Sequence, residues 1–377
     1  MKSKFVIGWI HILIIPFIEI VAYSYTGISD LNFVGYYAPI LMVLLGFCSL
    51  FFYIDIALIL VLILYSVAFE ARNRSEHLGY IVSLLQFYFA CTKLPNLIKA
   101  LPRNDVTRSG LIFLNLGLLI AFALTSFDHR EGGRDYKGCF IIPHQMAYYL
   151  AILSYVNIFF GAWWMGIPNI FAIAMIGTRV GLLLGGLAVI FSGIIYLAQY
   201  RVNRWNKYFL VFGCAAAVVS VGLIGENSEL LTAYDAVLNS SLTFDLYDAD
   251  TVKSSSHRAL IATTSFEQAL SDGLSAVNFF GRGPRWTMQF NEAELGVRIW
   301  SHNDILDLFM CGGLVLPMIY IYAMFRLFLD TKSVFIIIFI LIAGFLNGFF
   351  FYSTPFIIGV FSTTVPNRVE NVSEASN

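Results

Sequence analysis

Apolar runs recur along almost the whole chain, and nothing else in the sequence restricts its fold so severely. A helix that crosses a bilayer needs about 20 mostly apolar residues. Runs of that kind lie near 5–24, 33–52, 54–70, 78–93, 109–127, 139–160, 163–178, 180–199, 208–225, 303–327 and 333–350, and a shorter twelfth candidate covers 351–364. The 33–70 stretch is too long for one crossing, and Asp55 marks its break. Charged residues make up only 12% of the chain against 58% hydrophobic, whereas a soluble globular protein carries about 25% charged residues. Mean hydropathy is +0.75. The expectation is an all-α polytopic membrane protein with 11–12 transmembrane helices, built as one membrane domain over 1–377.

Lysine and arginine in short loops set the expected orientation. Lys2 and Lys4 precede the first run. Lys93, Lys99, Arg103 and Arg108 lie between the fourth and fifth, Arg201, Arg204 and Lys207 follow the eighth, and Arg326 and Lys332 follow the tenth. All four groups share one side if the N-terminus is cytoplasmic. The opening "MKSKFVIGWIHILIIPFIEIVAY" is too long for a secretory core and lacks a small-x-small cleavage site, so an uncleaved first span is expected.

That topology puts residues 226–301 outside the cytoplasm as one long periplasmic-side loop. Its first part, "ENSELLTAYDAVLNSSLTFDLYDAD", is acidic, with no basic residue. Within its second part, "SSSHRALIATTSFEQALSDGLSAVNFFGRGP" reads as a helix capped by Ser254–Ser256, with apolar residues at 261, 266, 269, 270 and 274, ended by Gly281, Gly283 and Pro284.

Several chemistries are excluded. There is no P-loop signature, "GRGP" lacks the context of a dinucleotide fingerprint, and HExxH or Cys/His metal spacing is absent. The five cysteines show no CxxC and read as packing residues. A net charge of -1 gives no basic face for nucleic acid. No metal, nucleotide or other cofactor is expected.

The loop side collects cationic and titratable groups instead. Arg179, in "AMIGTRVGLLLGG", occupies the tight turn between two apolar runs, where the positive-inside bias disfavours a lone arginine. Arg258 sits on the first turn of the loop helix beside His257, where a guanidinium and free helix N–H groups can serve one anion. Arg282, Arg285 and Arg298 are, taken one at a time, ordinary loop charges. In "GVRIWSHNDILDLFMCGGLVLP", His302 and Asn303 open the tenth run, with Asp304 and Asp307 one turn apart on one helical face. Asn303 suits an N-cap. A neutral His302 imidazole, oriented by Asp304 or Asp307, suits a general base. His144 and Glu19 read as packing residues. Arginines and one histidine at a membrane face suit a lipid-linked diphosphate, because fixed cations stabilise a departing diphosphate as charge builds on it. Such a substrate is already activated, so no nucleotide site is needed.

Three stretches resemble the superfamily of bacterial O-antigen ligases and Wzy-type polysaccharide polymerases. "SHNDILDLFMCGGLVLP" is similar to its HN-x-x-L…G-x-x-G segment, "IAMIGTRVGLLLGGLAVI" to its S-R-(small)-x-x-L turn, and "SSSHRALIATTSFEQALSDGLSAVNFFGRGP" to its R-x(many)-G-x-G-P stretch. "IIPHQMAYYLAI" is similar to its P-N-x-x-(small) span, with His144 where Asn is common. Thr178 stands where the family usually has Ser, and Val180 where a small residue is frequent. The resemblance covers about residues 109–327.

The resemblance implies an integral-membrane glycosyltransferase of the bacterial cytoplasmic (inner) membrane, multi-pass, with no metal or nucleotide. Its substrate would be a glycan on undecaprenyl diphosphate. An acceptor hydroxyl would attack the anomeric carbon on the outer face, and undecaprenyl diphosphate would leave. Arg179 and Arg258 would hold the diphosphate, His302 would position or deprotonate the acceptor, and Asn303 would orient the histidine or cap its helix. Arg298, Arg282, Arg285 and Asp304 complete the expected substrate-binding set. Partners would include membrane lipid, a chain-length regulator and a flippase protein. Polymerisation of O-antigen, capsular or exopolysaccharide repeat units is the leading expectation. The alternatives are a ligase that passes finished glycan to lipid A core or another acceptor, a lipid-linked oligosaccharide flippase, and a non-catalytic subunit of a polysaccharide machine.

Overall fold

A computed structural model describes residues 55–58, 60–61, 74–98, 105–125, 143–176, 178–199, 258–271, 273, 275–283, 286–296, 300–301, 303–346, 348–349 and 354–365. The helices in chain order are α1 (Arg74–Ile98), α2 (Asp105–Thr125), α3 (Pro143–Phe159), α4 (Gly166–Ile176), α5 (Arg179–Gln199), α6 (Arg258–Ser271), α7 (Ala276–Phe280), α8 (Trp286–Leu295), α9 (Asp304–Gly312), α10 (Val315–Thr331), α11 (Val334–Leu346) and α12 (Thr354–Ser362). A 3-10 turn over Trp163–Met165 precedes α4.

The described residues are mostly helical, but the expectation of an all-α membrane protein with 11–12 transmembrane helices is corrected. Among the described residues, no helix is long and apolar enough to cross a membrane. Several runs that read as one crossing are interrupted. The 303–327 run breaks after Gly312 into α9 of nine residues and α10 of 17. The 163–178 run gives the 3-10 turn and an 11-residue α4. The 333–350 run stops at Leu346 after 13 helical residues, and the twelfth candidate is the nine-residue α12. The 139–160 run becomes helical only at Pro143, whose fixed φ suits a first helical position. The runs at 5–24, 33–52 and 208–225, and most of 54–70, lie outside the described residues.

The centre of the assembly is α3. Every residue from Gln145 to Phe159 is buried, and a helix apolar all round must be enclosed on every side. It packs against α2, α4, α5 and α12, while α1 packs on α10 and α12. The α4–α5 turn is closed by a near approach: a Cβ on Gly181 would overlap Ala147 of α3 and come within 3.3 Å of Ile173. Ring contacts fix the layers, with Phe87 of α1 stacked on Tyr320 of α10 at 4.4 Å and Tyr155 of α3 stacked on Phe335 of α11 at 4.3 Å. Such pairs contribute about 0.5–1.5 kcal/mol beyond the area they bury. Outward positions remain apolar: Phe113 on α2, Phe171 on α4, Met318 on α10 and Phe345 on α11 are all exposed.

The α1 boundaries correct one reading of the charges. Lys93 is not in a basic loop. It lies inside α1, buried, and pairs with Asp55, which also accepts the Tyr88 hydroxyl at 2.8 Å. A charge that leaves water needs such a partner.

Candidate functional site

The opening of α9 is held by a tight set of hydrogen bonds. Asn303 takes extended angles, φ -136 and ψ 110, and its Oδ1 accepts the Leu306 N–H at 3.1 Å. This satisfies one of the free donors of the first turn. Asp307 donates its N–H to the Asn303 carbonyl at 2.8 Å, and its Oδ1 accepts the Ser301 N–H at 3.0 Å. Ser301 in turn donates its hydroxyl to the Asn303 carbonyl at 3.4 Å. The segment is therefore tied on both sides of position 302. Burial pushes the Asp307 carboxyl up to about 7, against the opposing pull of its bonds to Ser301, Asn303 and Thr287.

Asp304, one turn earlier, has different partners. Both its oxygens accept the Phe349 N–H at 2.8 Å, Oδ2 accepts the Tyr320 hydroxyl at 3.0 Å, and the residue is 1% exposed. Its carboxylate braces α9 against α10 and the chain beyond α11.

The loop that follows α7 docks on the far end of α9. The N–H groups of Arg282 and Gly283 donate to the Cys311 carbonyl at 3.0 and 2.8 Å, and the Leu314 N–H donates to the Asn278 carbonyl at 3.0 Å. The two backbones approach so closely that a Cβ on Gly281 would overlap the Cys311 carbonyl, and one on Gly313 the Phe279 carbonyl. Both glycines have positive φ, +84 and +58. This contact is the physical reason that the 303–327 run breaks. Arg282 lies over the Trp286 ring, 4.7 Å from its centroid, and donates to Asn278 Oδ1 at 3.3 Å. Burial lowers its pKa, opposed by nearby Cys311. Behind it, Thr287 of α8 meets Cys311 at 3.5 Å, and Ser265 of α6 donates to Asn291 of α8 at 3.4 Å. Buried polar side chains of this interface come from α6, α7, α8 and α9.

The two arginines singled out from sequence each open a helix, Arg179 as the first residue of α5 and Arg258 as the first of α6. Helix N-termini present unpaired N–H groups and positive potential, so each is suited to an anion. The Thr178 hydroxyl, beside Arg179, is buried and has no hydrogen-bond partner. The structure packs α6, the helix that Arg258 opens, against both α8 and α9. His302, Arg285 and Arg298 lie outside the described residues. Among the described residues, no group of His, Cys, Asp or Glu could hold a metal ion.

Two buried polar clusters were not read from the sequence. Asn115 of α2 and Asn169 of α4 exchange side-chain amide hydrogen bonds at 2.8 Å, Asn157 of α3 donates to Asn115 at 3.2 Å, and Asn169 donates to Ser154 at 3.0 Å. The second is Asp55 with Lys93 and Tyr88. The available signal was the cost of placing a polar side chain within an apolar run, which each residue there must offset with a partner. Searches against family models, curated proteins and solved structures find no match to this chain.

Proposed function

We propose that the protein is a bacterial glycosyltransferase acting at the outer face of the cytoplasmic membrane. In this reading it polymerises O-antigen, capsular or exopolysaccharide repeat units by moving glycan from undecaprenyl diphosphate to an acceptor sugar hydroxyl. The observation that carries the reading is the placement of Arg179 and Arg258. Each begins a helix, and the first N–H groups of a helix have no partner within it, so an arginine and helix-start donors coincide along the chain at each position. Together these suit the phosphate oxygens of a leaving diphosphate, whose charge grows as the glycosidic bond breaks. His302, between Ser301 and Asn303 in the sequence, then serves the acceptor hydroxyl. Exposed apolar side chains such as Phe113, Phe171 and Phe345 support contact with lipid.

Surface-glycan ladders from the native bacterium test the proposal. Arg179→Ala, Arg258→Ala and His302→Ala are compared with wild type at matched protein levels. Loss of one arginine is expected to slow transfer by roughly 10²–10³-fold, the range seen when one transition-state charge donor is removed. Collapse of the ladder to a single repeat supports polymerisation. Loss of all surface glycan with long chains retained on undecaprenyl diphosphate identifies a ligase. An unchanged ladder in all three variants removes the catalytic reading.

A further inference from the structure

Helices α3 and α5 run side by side in the same direction. Near their starts, a Cβ on Gly181, the third residue of α5, would overlap Ala147, the fifth residue of α3. Farther along, Ile158 of α3 and Val189 of α5 belong to one packed cluster, and a Cβ on Gly166 would meet both. The two N-termini therefore lie together at one end of the bundle. Helix starts that point the same way add their positive potentials. Each also leaves its first N–H groups without a partner inside the helix. Because α3 begins with Pro143, which has no N–H, its first donors are those of His144 and Gln145.

Thr178 occupies the cap position of α5, since its carbonyl accepts the Leu182 N–H at 3.0 Å. A capping threonine ordinarily turns its oxygen onto a first-turn N–H. Here the hydroxyl makes no hydrogen bond, although the residue is only 6% exposed. It lies over the first turn of α5 and in the seam with α3, because the Cβ on Gly181 that would overlap Ala147 would also overlap Thr178 Oγ1. A buried hydroxyl without a partner is costly, and a group that accepts its proton relieves that cost. Where two helix starts converge, the acceptor favoured is an anion.

We infer that the starts of α3 and α5 form one phosphate site in which the Thr178 hydroxyl is a side-chain donor. The inference deepens the glycan-transfer reading, in which Arg179 holds a diphosphate, by adding Thr178 and the α3 start to that group's surroundings. The same chemistry serves a free phosphate and the phosphate of a lipid-linked substrate.

The test is calorimetric titration of the purified full chain with inorganic diphosphate and, separately, with undecaprenyl diphosphate in detergent micelles. Wild type is compared with Thr178→Val, which removes the hydroxyl at nearly constant shape, and with Thr178→Ser, which keeps it. Thr178→Val should weaken binding by roughly 10- to 100-fold, the effect of losing one hydrogen bond to a charged group, and Thr178→Ser should restore it. That pattern with inorganic diphosphate shows that a free phosphate suffices, and with undecaprenyl diphosphate alone that the lipid-linked form is required. Equal affinity in Thr178→Val and wild type, or saturation by neither probe, overturns the site. Should Thr178→Val fail to fold, hydrogen exchange of the wild-type chain decides the matter. Slower exchange at His144, Gln145, Val180 and Gly181 on adding the probe supports the site, and protection confined to other segments overturns it. Loss of the surface-glycan ladder in Arg179→Ala with unchanged affinity in Thr178→Val overturns this site alone. Wild-type ladders in Arg179→Ala, Arg258→Ala and His302→Ala with weakened affinity in Thr178→Val overturn the transfer reading alone.

Discussion

Asp304 accepts the backbone N–H of Phe349 through both carboxylate oxygens, each at 2.8 Å, so a residue in the first turn of α9 holds the chain beyond α11. Tyr320 donates its hydroxyl to the same carboxylate at 3.0 Å while its ring stacks on Phe87. One buried side chain thus joins α9, α10 and the end of α11, and reaches α1 through Tyr320. Its presence beneath the α9 opening explains how an acidic residue at a helix start can be almost fully excluded from solvent.

Asp304→Ala leaves the Phe349 N–H and the Tyr320 hydroxyl buried without that acceptor. Each unsatisfied group costs about 1–3 kcal/mol, so the substitution should lower stability by about 2–6 kcal/mol. Tyr320→Phe removes one donor, leaves the Phe349 bond in place, and should cost about 1–2 kcal/mol. Denaturant unfolding of the purified chain measures both. A larger loss in Tyr320→Phe than in Asp304→Ala contradicts the central role of the carboxylate.

Gly281 offers a contrast with Gly273. Both have positive φ, +84 and +57, but a Cβ on Gly281 meets the Cys311 carbonyl, whereas one on Gly273 meets nothing within 4 Å. Gly273→Ala should cost only the backbone strain of about 1–2 kcal/mol. Gly281→Ala must in addition separate α7 from α9. Hydrogen exchange should therefore show faster exchange at Arg282 and Gly283, whose N–H groups bond Cys311, in Gly281→Ala alone. Equal exchange in both variants would show that the close approach does not hold the segment.

Some of this architecture was legible in the sequence. A helix over the Arg258 stretch follows from its apolar spacing, although it ends at Ser271 and a second helix, α7, precedes Gly281. Arg179, read as the turn between two apolar runs, is the first residue of α5. Asn303 reads as a cap because its short side chain can reach back to the first-turn N–H groups. The break after Gly312 was not legible, since two glycines within an apolar run do not by themselves end a helix. What ends it is the Asn278–Gly283 segment pressing on the backbone from a distant part of the chain. Lys93 was misread for a related reason. Its partner Asp55 lies 38 positions away, and local spacing carries no record of that pairing. The distinction between Asp304 and Asp307 also depends on remote groups, Phe349 and Tyr320 for one, Thr287 for the other.

The Asp55–Lys93 pair permits a sharper test of buried charge. Lys93→Ala strips the partner from a carboxylate that is 1% exposed, and Asp55→Ala does the reverse to the ammonium. Removing one member of such a pair costs about 3–5 kcal/mol, because the remaining charge stays buried. Replacing both with similarly sized apolar residues, Asp55→Leu with Lys93→Met, should recover most of that loss. A double-mutant cycle on unfolding free energies measures the coupling. Losses that simply add across the two sites would show that the charges do not depend on each other.

Asp307 gives stability a defined pH dependence. Its carboxyl is raised from 3.8 to about 7, chiefly by burial, so the folded chain retains a proton that the unfolded chain releases at lower pH. Stability from this group is fully present below the unfolded pKa. It falls as pH rises through that value toward 7 and then levels off, because ionising the buried carboxyl is the unfavourable step. Asparagine keeps an acceptor for the Ser301 N–H and cannot ionise. Asp307→Asn should accordingly be more stable than wild type at pH 8, by an amount on the order of a few kcal/mol, because a tenfold change in proton affinity between folded and unfolded chain corresponds to about 1.4 kcal/mol. The advantage should shrink steadily as pH is lowered toward 5. Denaturant unfolding of both proteins across that interval measures the difference. A gap that widens on acidification would mean that Asp307 is ionised in the folded chain and that its hydrogen bonds outweigh its burial.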